Sequence, residues 1–357
     1  MFHFSQKTLM TGARALAAVV AMSAFGLASA AADEFTGAGA TFPAPIYTKW
    51  AEQYAASGGD SLNYQAIGSG AGVTQIINRT VDFGASDAAV APERLASQNL
   101  LQFPAVIGGV VIAVNIPGVD GNALKLTGPI IADIYLGRIR MWNDRRITAI
   151  NPGVTLPAMA IAPAYRADSS GTTNIFTSYI AAVSLPFQSQ IGAGNSVAWR
   201  AGVGAPGNAG VAGSIRNARG GFGYVEYAYA TENRMQTPMI QNRSGQFVRP
   251  SAAAFAAAAS TANWANAPNL AVSMTNTVGA TNWPIVGPTY ILIPKNPADG
   301  ERAALVLKFF DWAFRSGSPA ADQLHYVMLP ESVRTLVRQR WALVKSGNRA
   351  VYTPAAR

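Results

Sequence analysis

The 357-residue chain has no cysteine. That excludes a disulfide framework, a thiolate metal site, an iron–sulfur cluster, a cysteine nucleophile and a lipid-modified cysteine anchor. Histidine is almost as scarce, at two residues, so a multi-histidine metal centre is excluded. Charge is sparse, with only 13% Asp, Glu, Lys and Arg. There is no G-x-S-x-G elbow and no phosphate loop ending in its lysine. No long apolar run follows the first thirty residues, so the mature chain is expected to be soluble. These absences predict a protein without nucleophile, metal or cofactor, and not an enzyme.

What is present is apolar: half the residues are hydrophobic, with 34 Gly and 21 Pro. The length and the apolar fraction suffice for two domains with a packed core. Lys7 and Arg14 open the chain, an Ala-rich stretch follows from Ala15 to Ala28, and Ala28-Ser29-Ala30 supplies small residues for a peptidase. Residues 1–30 are expected to be a cleaved signal peptide, with export to follow. Its loss lowers the formal charge from +9 to +7 and leaves His325 as the one histidine. The remaining cations are scattered. The densest groups, Arg138, Arg140, Arg145 and Arg146, and Arg334, Arg338 and Arg340, read as solvated helix faces rather than a nucleic-acid patch.

Apolar runs alternate with helical patterns, as in an α/β protein. Ile46, Trp50 and Tyr54 share one helical face. Ser61 to Ile67 alternates like a half-buried strand, and Val73, Ile76 and Ile77 fit a second helix. Val106 to Val114 and Thr289 to Ile293 read as fully buried strands, and Ala303 to Phe314 and Val333 to Val344 as amphipathic helices. The tract Ala252 to Ala259 reads as a surface helix, Gly202 to Gly210 as a loop, and His325 as a packed residue. Gly202 to Gly207, with Glu226 further on, has dinucleotide spacing, but Pro206 spoils the turn.

Three times, small and hydroxyl residues precede a helix: Gly37 to Pro43, Gly68 to Gly72, and Arg166 to Thr173. A helix N-terminus presents free N–H groups and a positive dipole end. Glycine lets backbone approach a ligand, and Ser or Thr adds a donor. Each turn alone reads as ordinary N-capping. Three together, one with an arginine, also fit an anion site.

Thr36-Gly37-Ala38-Gly39-Ala40-Thr41-Phe42-Pro43-Ala44-Pro45 and Val81-Asp82-Phe83-Gly84-Ala85-Ser86-Asp87-Ala88 resemble the phosphate-binding proteins of Pst-type ABC importers. So do Phe103-Pro104, Ile107 to Val111, Val114 to Gly118, Asp133 to Gly137, Arg166-Ala167-Asp168, Ser170-Gly171-Thr172, Gly223 to Tyr229 and Leu307 to Ala313. The resemblance covers essentially the whole mature chain. It implies a two-domain periplasmic binding protein of type II, with domain I over 31–106 plus 287–357 and domain II over 107–286. Two hinge crossings join them, and the ligand lies in the cleft between. It also implies a monomer, free in the periplasm, that hands inorganic phosphate to membrane permease subunits with a cytoplasmic ATPase, under phosphate starvation.

Carried over residue by residue, the resemblance places phosphate contacts on Ala40, Thr41, Phe42, Ser69, Asp87, Arg166, Ser170, Gly171 and Thr172, with Asp168 holding Arg166. Gly70, Tyr165 and Ser169 depart from a relative's serine, arginine and glycine. Asp87, which would otherwise read as a cap after a strand, then gains a purpose. Phosphate near neutral pH brings a proton that a carboxylate can accept, whereas sulfate brings none. An unpaired buried group of this kind can discriminate by roughly 10⁴-fold or more. Three alternatives remain open: a receptor for another oxyanion such as sulfate, a surface or adhesive protein on the same fold, and a phosphatase using this cleft.

Overall fold

The structure, a computed structural model, describes residues 33–354; the signal peptide expected over 1–30 lies outside the described residues. Eleven strands position the site: β1 Glu34–Gly39, β2 Ser61–Ala66, β3 Phe83–Ser86, β4 Leu100–Asn115, β5 Lys125–Leu126, β6 Ala162–Arg166, β7 Val203–Ala205, β8 Gly221–Glu226, β9 Met239–Gln241, β10 Phe247–Val248 and β11 Val286–Pro294. Eight of them form one sheet in the order β2-β1-β3-β11-β4-β8-β6-β7, and β5, β9 and β10 form a small second sheet.

The 16-residue β4 joins the two ends of the large sheet. Leu100 to Gly109 pair antiparallel with β11, and Val110 to Asn115 pair antiparallel with β8. All of β4 except Asn115 is buried, which is why its sequence runs apolar without alternation. The register slips between Thr289 and Tyr290, opposite Pro104. A proline has no N–H for a ladder and is tolerated at such a bulge.

On either side of β4 the strands are parallel: β1 with β2 and β3, and β6 with β7 and β8. Parallel neighbours require crossovers. Helices Ala44–Ala56 and Ser69–Ile77 serve the first group, and Gly171–Val183 and Gly207–Asn217 the second. The two groups run in opposite directions along β4, the first towards Gly109 and the second towards Val110, so their strand ends face each other at the middle of β4, and each hands its chain to a turn there. Aromatic cores flank the sheet. Tyr47, Trp50, Phe83, Phe103 and Phe310 pack on the first side, and Tyr135, Phe176, Trp199 and Tyr224 on the second.

Several expectations are corrected. Gly202 to Gly210 is not a loop: it contains β7 and the start of the helix Gly207–Asn217. Exposed Val203 and two glycines hide the strand's pattern, because β7 is an edge. The alanine helix Ala252–Ala259 is not superficial. Its Ala254, Phe255, Ala258 and Ala259 are buried, and the Phe255 ring fills the space a side chain on Gly109 would need. Small residues let that helix approach β4 closely. His325, by contrast, does pack: it is half-buried at φ 62, with its ring 5.4 Å from that of Tyr227. Arg138 and Arg140 lie in a turn, and Arg146 pairs with Asp133 and Asp144 at 3.0 and 2.9 Å. Arg338 is not solvated: it is bound to buried Asp311 at 2.7 Å.

Candidate functional site

The turns at the strand ends meet in a buried cluster that holds Thr41, Ser69, Asp87, Arg166, Ser170 and Thr172, none more than 6% exposed. The chain folds this way because each turn leaves a parallel strand and opens a helix. Ser170 caps the helix Gly171–Val183, its hydroxyl accepting from Thr173 N–H at 3.1 Å. Gly68, at φ 99, turns the chain from β2 into the helix Ser69–Ile77, a conformation glycine adopts without strain.

The turns of the two sheet ends interlock. Ser69 Oγ accepts from Gly171 N–H at 3.0 Å and from Asp87 N–H at 3.3 Å. Gly70 N–H donates to the Ser169 carbonyl at 2.9 Å. A Cβ on Gly171 would lie 2.6 Å from both Asp87 Cβ and Ser69 Oγ, so only glycine allows this approach. Ser169 stands over Gly70 at a similar distance, so two of the departures from the relative's pattern are in mutual contact.

Arg166 enters from the end of β6 with its side chain almost wholly buried. Its Nε donates to Asp168 Oδ1 at 2.7 Å, Nη2 pairs with Asp168 Oδ2, and Nη1 donates to Thr172 Oγ1 at 3.3 Å. Burial alone would raise the Asp168 carboxyl. The Arg166 hydrogen bonds and charge, with the Gly207 N–H, outweigh burial and hold it below the usual carboxylate range. Asp168 thus fixes the planar fork and leaves the remaining guanidinium hydrogens directed elsewhere.

Asp87 has the opposite environment. Burial pushes its carboxyl up to about 7, against the pull of the nearby Thr289 and Ser69 hydroxyls, which stand outside hydrogen-bond geometry to it, and of the Arg166 charge. Its Oδ1 has no hydrogen-bond partner among the described residues, and neither has Thr289 Oγ1. A buried carboxyl without partners is costly unless something else supplies a proton or a donor.

Around this carboxyl the cluster is rich in donors. Among the described residues the N–H groups of Thr41, Phe42 and Thr172 have no acceptor, and neither have the hydroxyl protons of Thr41, Ser69 and Ser170. Ala40 differs: its N–H donates to the Ala85 carbonyl at 2.9 Å, so it brings no free donor. Of the first turn, Gly37 to Gly39 belong to β1. A groove of about 1040 Å³, lined in part by Gly70, Ser169, Asn174 and Tyr290, leads from outside to Asp87.

Two residues of the cluster were not anticipated. Fully buried Asn208 donates from Nδ2 to Thr41 Oγ1 at 2.8 Å and to Thr172 Oγ1 at 3.2 Å, and accepts from Glu226 N–H at 2.9 Å. It follows Gly207 in a stretch whose pattern reads as a loop, so no periodicity marks it. Thr289 lies in a strand whose apolar run conceals its hydroxyl. Glu226, whose spacing from Gly202 to Gly207 resembles a dinucleotide motif, caps the helix Tyr227–Glu232 and is fully buried.

Chemically, many neutral donors, one arginine and one carboxyl suit a small anion that carries a proton. A PBP superfamily domain matches residues 27–316. The phosphate-binding protein PstS of Pasteurella multocida is 46% identical over 92% of this chain and 95% of its own length. That of Haemophilus influenzae is 46% identical over 87% and 93%. Among solved structures, a high affinity periplasmic phosphate-binding protein (PfluDING) bound with phosphate superposes with a TM-score of 0.67 at 22% identity, over 89% of this chain and 97% of that one. The Stenotrophomonas maltophilia phosphate-binding protein gives 0.67 at 20% identity, over 89% and 96%. Fold, strand-end geometry and sequence therefore agree: the chain belongs to the PstS family of phosphate-binding proteins, within the PBP superfamily.

Proposed function

We propose that the chain binds inorganic phosphate in the periplasm and delivers it to the permease subunits of an ABC importer driven by a cytoplasmic ATPase. Thr41, Phe42, Ser69, Arg166, Ser170 and Thr172 donate to the anion, Ala40 and Gly171 shape the turns that carry them, and Asp168 holds the arginine. Asp87 accepts the hydrogen bond from the phosphate proton. The observation that carries this assignment is the buried, partnerless Asp87 oxygen in a cluster otherwise made of donors. The ligand performs no chemistry in the cleft. The receptor acts as a monomer, freed by removal of residues 1–30 and without a lipid anchor. Among the described residues no helix is long and apolar enough to cross a membrane, which supports that location.

The two ends of the sheet act as two domains, 31–106 with 287–357 and 107–286, that close on phosphate by bending where β4 and β11 cross. Closure requires that the anion bind the closed form better than the open one, and ligands taken from both sides provide that difference. Calorimetric titration of the ligand-stripped mature chain with phosphate and then sulfate tests the assignment, alongside Asp87→Asn. One-to-one phosphate binding without sulfate heat is expected, and sulfate binding should appear in the variant. Equal binding of both anions by the parent chain would overturn it in favour of a general oxyanion receptor.

A further inference from the structure

Three consecutive carbonyls of the first turn each accept a tyrosine hydroxyl. Tyr64 donates to the Ala40 carbonyl at 2.7 Å, Tyr229 to that of Thr41 at 2.6 Å and Tyr326 to that of Phe42 at 2.6 Å. The tyrosines come from β2, from the helix Tyr227–Glu232 and from the segment that bridges to Ile107 of β4. Three unrelated parts of the chain thus converge on one four-atom problem, the orientation of successive peptide planes.

The peptide bonds here are trans, so each carbonyl points away from the N–H of the same peptide unit. Holding the Ala40 oxygen therefore aims the Thr41 N–H, and holding the Thr41 oxygen aims the Phe42 N–H. Those are the two N–H groups of the turn that have no acceptor among the described residues. The third bond has a different effect. The unit after the Phe42 carbonyl ends in Pro43, which has no N–H, so Tyr326 fixes the lead into the helix Ala44–Ala56. Burial raises all three phenols far above neutrality, so each stays a donor.

We propose that Tyr64 and Tyr229 are positioning residues that aim the Thr41 and Phe42 N–H groups at the bound anion, an inference that rests on the phosphate reading above for the identity of that anion. Tyr229 belongs to the opposite end of the sheet from the turn it holds, so its bond joins that of the Ala44 N–H, which donates to the same Thr41 carbonyl at 3.2 Å, only when the two ends are together. Tyr64 shares the turn's own end and aims Thr41 throughout. The two donors therefore differ in how much of their aim depends on the opposite end.

Tyr64→Phe and Tyr229→Phe remove one hydroxyl each and keep the ring. Each should weaken phosphate binding roughly five- to fifty-fold, as expected when a buried carbonyl loses its donor. Tyr179→Phe, which removes a tyrosine–carbonyl bond to Gln241 elsewhere, should leave it unchanged. One-bond N–H residual dipolar couplings in the labelled protein, with and without inorganic phosphate, report the peptide orientations directly. Tyr64→Phe should reorient the Thr41 vector and Tyr229→Phe the Phe42 vector, while those of Gly171 and Thr172 stay as in the parent. Unchanged vectors in both variants would overturn the proposal even if phosphate binds. Failure of the parent to bind phosphate would overturn the phosphate reading, while the vectors would still decide the role of the tyrosines.

Discussion

Replacing Asp87 with asparagine should stabilise the ligand-free protein, and by more at higher pH. The carboxyl is 4% exposed, and burial lifts it to about 7 from an ordinary value of 3.8. Between those two values the folded chain holds a proton that the unfolded chain has released. Stability from this group is therefore fully present below the unfolded value and is lost as pH rises through about 7. At about 1.36 kcal/mol per unit, the loss is about 1.5 kcal/mol by pH 5 and about 4 kcal/mol at pH 8. Asparagine cannot ionise and escapes that loss. Urea unfolding of stripped parent and Asp87→Asn from pH 4 to 8 measures the difference, in which the other titrating groups cancel. A difference that stays flat across this range would refute the claim that a buried, partnerless carboxylate strains the empty site.

Arg166→Lys should weaken phosphate binding by about 10²-fold in a titration, because lysine is a point charge that cannot pair bidentately with Asp168 and still face an anion. Gly171→Ala should keep the chain folded but hold it open, since its methyl would lie 2.6 Å from Ser69 Oγ; small-angle scattering with excess phosphate should show no compaction. Asp311→Ala should destabilise the chain by about 3 kcal/mol in chemical unfolding, because it removes the buried partner that Arg338 and Tyr352 bind at 2.7 and 2.6 Å and leaves Arg338 the longer pairing with Glu331 at 3.5 Å.

The continuous strands were legible because burial on both faces writes itself as an unbroken apolar run, as at Val106 to Val114. The turns were legible because Gly68, Ser170 and Gly171 are residues that backbone geometry demands. The edge strand β7 was not, since Val203 and Gly204 carry no alternation when one flank faces water. The alanine helix misled because alanine is compatible with either a surface or a close helix–sheet contact, and Gly109 on another strand decides between them. In the cluster, Asp87 and Arg166 stood out by motif. Asn208 and Thr289 did not, because a hydrogen bond across 167 residues, as between Asn208 and Thr41, leaves no trace in local spacing.

The interlocked turns have a kinetic consequence. At Gly171 and Gly70 the two ends of the sheet touch closely, so this side of the site opens only where the ends part. On the proposed function, the residence time of phosphate then depends on how often that seam parts as well as on the bonds to the ion. Substitutions on the contact between Gly70 and Ser169, which touch no ligand, become levers on the dissociation rate. A permease that pries that seam apart would control delivery without competing for a single oxygen of its cargo.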